Sequence, residues 1–127
     1  MIVDDSALVR ARLVVILSRS PQIEVVAVAK TASEAVQRAK QAKPDVIILD
    51  ISLPGASGIS IVRRLKQIQP TPVVLMLSNY SSLQIQTKCK EAGADYFFDK
   101  SSEFEKVVFT IESFGTNRVN AKDRERD

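Results

Sequence analysis

Short, almost uninterrupted apolar runs constrain this chain most. They are Met1–Val3, Ile23–Ala29, Val46–Leu49, Val73–Leu77 and Tyr96–Phe98. Strands that do not alternate with polar residues are covered on both faces, the mark of a parallel sheet between helical layers. The segments between the runs have helical spacing instead. Val9, Leu13, Ile16 and Leu17 fall on one helical face; so do Ala35, Ala39 and Ala42, then Ile61, Leu65 and Ile68. Leu83 to Ala92 reads as a fourth helix, with Gly93 as its C-terminal cap. Phe104, Val107, Val108, Ile111 and Phe114 form the stripe of a fifth. Thr31 with Glu34, and Ser102 with Glu105, have capping-box spacing ahead of the second and fifth helices. Five strands in strict alternation with five helices, joined by right-handed crossovers, give a doubly wound α/β fold with helices on both faces.

Composition removes several classes of function. With 127 residues, the chain suits one domain. Eighteen basic and 15 acidic residues leave a net charge of +3, and no basic arm stands out. Direct nucleic-acid binding by this chain is therefore not expected. There is no histidine, so histidine metal sites and histidine triads are excluded, and the single cysteine, Cys89, forms no intrachain disulfide. No apolar run approaches membrane-spanning length, and a cytoplasmic protein is expected. Residues 1–114 read as the domain; 115–127 lose periodicity and read as a polar tail or truncated linker.

In an open parallel sheet, ligands bind beyond the carboxyl ends of the strands. The residues at those ends are Asp4-Asp5, Asp50, Ser78 and Asp99-Lys100. Each has an ordinary alternative, as a helix cap, a turn residue or a solvated lysine. Together, at the ends of four strands, they supply what carboxylate phosphorylation needs. Clustered carboxylates suit Mg²⁺, a carboxylate can accept a phosphoryl group, and a lysine and a hydroxyl can hold its oxygens.

The ordered set V-D-D-S at 3–6, V-I-I-L-D at 46–50, L-P-x-x-x-G at 53–58, L-S at 77–78, E-A-G-A-D-Y-F at 91–97 and D-K-S at 99–101 resembles the receiver (CheY-like) domain of bacterial two-component response regulators. D-K-S is closer to the LuxR/NarL-type subfamily. The resemblance implies the flavodoxin-like strand order 2-1-3-4-5. It implies that Asp50 accepts a phosphoryl group from a sensor histidine kinase or a phosphotransfer protein, followed by slow autodephosphorylation. Asp5 would bind Mg²⁺ (or Mn²⁺ in its place) directly and Asp4 largely through water. Asp50 and the backbone carbonyl of Ser52 would complete the protein ligands. Lys100 would pair with the phosphoryl group, while Ser78 and the aromatic Phe97 would act as the switch. Pro54 and Gly58 would shape the loop and the start of the third helix. The readout would be a face made by the fourth helix, fifth strand and fifth helix, open to a homodimer partner or an attached output domain. On it Lys88, Lys106 and Phe97 are candidate contacts.

Two positions depart from the usual pattern: Asn79 stands where a small residue is common, and Ser101 where proline is. Of the other functions considered, a haloacid-dehalogenase-like phosphatase lacks its D-x-D, since Asp50-Ile51-Ser52 does not supply it. A dinucleotide-binding domain lacks G-x-G-x-x-G after the first strand. A phosphorylation-independent receiver-like binding module is the serious alternative. Phe104 and Phe109 read as packing residues, Cys89 as a core thiol, and Arg63-Arg64 as solvated surface.

Overall fold

A computed structural model describes residues 1–114; the expected polar tail at 115–127 lies outside them. The chain runs through β1 (Ile2–Val3), α1 (Ala7–Ser18), β2 (Val28–Ala29), α2 (Ala32–Ala42), β3 (Val46–Leu49), β4 (Ser52–Leu53) and β5 (Ala56–Ser57). It continues through α3 (Gly58–Leu65), β6 (Val73–Ser78), α4 (Leu83–Ala92) and β7 (Tyr96–Asp99). Residues 104–114 form a further helix, α5. The main sheet has the order β2-β1-β3-β6-β7 with every pairing parallel. With the small β4–β5 hairpin set aside, this is the expected 2-1-3-4-5 order.

Successive strand residues feed opposite layers. Val3, Ile47, Leu49, Val74 and Met76 join the core that includes Ala35 and Ala39 of α2, Val62 and Leu65 of α3, and Cys89 of α4. Ile2, Ile48, Leu75 and Leu77 join Leu13 and Leu17 of α1 and Phe104, Val107 and Ile111 of α5. Each fully buried Leu, Ile or Val contributes about 1.5–3 kcal/mol to holding these layers together.

Four local expectations are corrected. The second strand is not Ile23–Ala29: only Val28 and Ala29 pair, because β1 offers just Ile2 and Val3 as partners. Ile23 and Val25 still pack against the core beneath α1 and α5. Strict alternation is broken by the β4–β5 hairpin. Pro54 and Gly55 turn it, and Gly55 sits at φ +82°, where a side chain would be strained. The third helix ends at Leu65, leaving Ile68 buried in the turns that follow. The fifth helix opens at 104, not behind a Ser102 cap. Asp99 accepts from the backbone and hydroxyl of Ser101, while Glu103 accepts from the Asp99 N–H at 3.1 Å. These bonds hold 99–103 as a turn.

The Thr31 cap forms as expected, its hydroxyl accepting from the Glu34 N–H at 3.1 Å. Gly93 closes α4 in the left-handed region, φ +115°. Phe104 is buried beneath the Arg12 guanidinium, but Phe109 is 77% exposed, contrary to the expectation that it packs. Cys89 is buried, and burial pushes its thiol pKa up, as befits an inert core thiol.

Candidate functional site

Parallel pairing aligns the carboxyl ends of the strands, so the polar residues that follow them meet at one edge of the sheet. Ser78 is in register with Asp99, and Leu49, just before Asp50, is in register with Met76. Asp4 leaves β1 beside them, its N–H donating to the Ala29 carbonyl at 3.0 Å.

Carboxylate oxygens of Asp4, Asp5 and Asp50 lie within 4.8 Å of one another. Asp4 and Asp50 are buried and Asp5 is exposed. Lys100 Nζ reaches between the buried pair, 2.7 Å from Asp4 Oδ2 and 3.2 Å from Asp50 Oδ2. The remaining oxygens have backbone partners. Asp4 Oδ1 accepts from the Ser6 N–H at 2.9 Å and Asp50 Oδ1 from the Ser52 N–H at 3.3 Å. Burial raises the Asp50 pKa, opposed in part by the Lys100 charge. Burial works against the Lys100 ammonium, yet hydrogen bonding to Asp4 and the charges of Asp50 and Asp4 outweigh it, so its pKa is raised.

The cap of α1 is Ser6, whose hydroxyl accepts from the Val9 N–H at 3.2 Å. Asp5 is therefore not consumed as a cap and stands open to solvent. Ser78 is fully buried, and its hydroxyl accepts from the Tyr80 N–H at 3.0 Å. Turning it toward Asp50 would cost that bond. Phe97 is half-buried against the core shared with α2, α3 and α4. Asn79 is exposed beside Ser78. The Lys100–Ser101 peptide is trans.

Gly58 holds the Asp50 loop to the start of α3. A Cβ here would stand 2.1 Å from the Asp50 carbonyl oxygen and 2.9 Å from Ile51 Cα, both backbone atoms. Only glycine permits that approach. Sequence reasoning missed Arg10, whose Nη1 donates to the Asp4 carbonyl at 2.7 Å. The available signal was its position one helical turn after the Ser6 cap, on the side of α1 facing the strand ends.

The donor set fits a small, hard divalent cation. Oxygens bound to one Mg²⁺ at about 2.0–2.1 Å stand no more than about 4.2 Å apart. The trio's oxygens lie within 4.8 Å of one another, a spacing that direct and water-mediated ligation together can serve. Asp4, whose oxygens are held more closely (2.9 Å by the Ser6 N–H and 2.7 Å by Lys100, against 3.3 and 3.2 Å for Asp50), suits the water-mediated position.

A doubly wound sheet with a cluster of carboxylates and one lysine at its switch edge defines a class of α/β domains with a carboxylate-centred site beyond the strand ends. Residues 1–112 match the response regulator receiver domain family, and the chain belongs to it: it is a receiver, the phosphoacceptor switch of two-component signalling. The chain is 39% identical over 104 residues to protein-glutamate methylesterase/protein-glutamine glutaminase 4 of Hahella chejuensis, covering 81% of this chain but only 27% of that relative. Among solved structures it resembles a LuxR-family two-component response regulator from Aurantimonas sp. SI85-9A1. That likeness has a TM-score of 0.84 and 32% identity, covering 92% of this chain and 84% of the other. It also resembles the response regulator domain of Thermotoga maritima CheB, with a TM-score of 0.77 and 32% identity, covering 94% and 93%. Relatives with such different names share the domain, so kinship does not select an output. None of the described helices is long and apolar enough to cross a membrane.

Proposed function

We propose that Asp50 is the phosphoacceptor and that this chain works in the cytoplasm as a Mg²⁺-dependent switch. The observation that carries the reading is the shared lysine. Lys100 Nζ lies within 3.2 Å of Asp50 and 2.7 Å of Asp4, holding a buried carboxylate ready beside a compensating charge. In this reading Asp5, Asp50 and the Ser52 carbonyl hold the cation, and Asp4 holds it through water. The cation's chemistry is to neutralise phosphoryl oxygens as charge builds on them. Arg10 fixes Asp4 by its backbone. Lys100 moves from the resting carboxylates to a phosphoryl oxygen, and Ser78 exchanges its bond to Tyr80 for another.

The donor is a phosphohistidine on a sensor kinase or phosphotransfer protein. The P–N bond breaks as an Asp50 oxygen bonds to phosphorus, and water later cleaves the acyl phosphate. The change is read by the face of α4, β7 and α5. There Lys88 is exposed, Lys106 is ion-paired to Glu103 at 3.3 Å, and Phe97 backs the strand. A homodimer partner or an output domain fused elsewhere in a longer protein would use that face.

Incubation with Mg²⁺ and a small phosphodonor, followed by borohydride trapping and mass spectrometry, tests the assignment. The label is expected on Asp50 and absent from Asp50→Asn. Labelling elsewhere with Asp50 intact would refute it and favour the phosphorylation-independent binding module.

A further inference from the structure

The described charges are distributed unevenly over α2 and α3. Between these helices runs a groove of about 730 Å³ that starts at the hairpin tip, Pro54 and Gly55. A second hollow of about 400 Å³ continues it toward Gln69, sharing Val36, Lys40 and Arg64 with the first. Lys40, Lys43 and Arg64 line these hollows, and no carboxylate does. Nor is any of the three in an ion pair among the described residues.

The neighbouring Glu34 and Lys66 are paired off elsewhere. Glu34 of α2 faces the other way, accepting from the Lys30 N–H at 3.1 Å and pairing with Arg38 at 3.9 Å. Lys66, which follows α3, is bound to Asp95 at 2.7 Å. Among the described residues the groove thus keeps three cations outside any ion pair, above a base closed by Val36 and Ile61, both buried where the helices pack. Gln37, Gln41 and Gln67 add amide donors and acceptors along its exposed rim.

We infer that the α2–α3 groove docks an acidic, amphipathic peptide segment of a partner protein, at a surface separate from the phosphoacceptor site. Charge complementarity selects the occupant. Its carboxylates would meet Lys40, Lys43 and Arg64 while small apolar residues cover Pro54 and Ala56 at the hairpin end. From Ala32 to Gln41, α2 presents about 14 Å of length at 1.5 Å per residue, enough for two to three turns of a helix laid alongside. The lining has no aromatic side chain on which a base could stack, which disfavours a single-stranded nucleic acid.

The probe is a fluorescein-labelled synthetic helix of about sixteen residues, with Leu and Ala on one face and Glu on the other. It is titrated into the full chain at low salt by anisotropy, and its footprint is mapped by ¹H–¹⁵N chemical shifts. Binding is expected, with the largest shifts at residues 36–43, 54–56 and 60–68. Affinity should fall at least about tenfold in Lys40→Glu/Arg64→Glu, and similarly when the peptide's Glu residues become Gln. Both substituted side chains are exposed, so a circular dichroism melt is expected to match the parent chain. As a second, milder variant, Lys40→Gln/Lys43→Gln should give a smaller loss. Shifts confined to another face, affinity unchanged by both variants, or groove binding by a dT16 oligonucleotide but not by the peptide would each overturn the proposal.

Discussion

Replacing Lys100 by methionine tests the resting site most severely. The methionine keeps the length of the side chain but leaves Asp4 and Asp50 facing each other without a cation. All three side chains are at most 11% exposed, so solvent cannot take over the screening. Breaking a buried ion pair by removing one partner costs about 3–5 kcal/mol. That is a large share of the roughly 5–15 kcal/mol that holds a domain folded. The loss should also depend on pH, with a definite sign. Burial already lifts the Asp50 carboxyl above 3.8, and losing Lys100 lifts it further. A carboxyl with a raised folded-state pKa favours the fold below its unfolded pKa, and that stability is lost as pH rises through the folded value. The Lys100→Met deficit should therefore be largest near neutrality and shrink toward pH 4. Wild-type Lys100, its own pKa raised, stays charged throughout that range. Urea unfolding of both proteins across this range measures the effect. Adding Asp50→Asn to the variant should recover much of the lost stability. A deficit that is the same at every pH, or one that the second substitution leaves untouched, would refute the electrostatic account and reduce Lys100 to packing.

Two further substitutions follow from the geometry. Asp5→Asn should weaken Mg²⁺ binding by about tenfold or more, or 1.4 kcal/mol, when titrated by calorimetry. Because Asp5 is exposed, the metal-free variant should be at least as stable as wild type. Gly58→Ala forces a Cβ onto the Asp50 carbonyl at 2.1 Å. It should cost about 1–3 kcal/mol in chemical unfolding and slow phosphorylation from a small donor, since the loop carrying Asp50 must shift. Wild-type stability with wild-type labelling would contradict the close approach.

Burial and element order were legible because they are written in local spacing. Val46–Leu49 and Val73–Leu77 read as strands covered on both faces, and Ala35 and Ala39 as the packed side of a helix, as they are, whereas Ala42, expected with them, is exposed at the end of α2. From that order alone, Asp4, Asp5, Asp50, Ser78 and Lys100 had to gather at one edge of the sheet, because parallel strands all end on the same side. What each side chain does there was not legible. Lys100 lies nearer Asp4 than Asp50, Ser78 serves the Tyr80 turn, and Arg10 folds back onto the Asp4 carbonyl. Each is a choice among partners far apart in sequence or among rotamers, and periodicity does not record such choices. The short β2 and the exposed Phe109 have the same origin: whether an apolar residue pairs or packs depends on how much of a neighbouring element is there to meet it. The cationic groove is the clearest case. Lys40, Lys43 and Arg64 read as scattered surface charges until α2 and α3 are laid side by side, and the fact that carboxylates face elsewhere exists only in three dimensions.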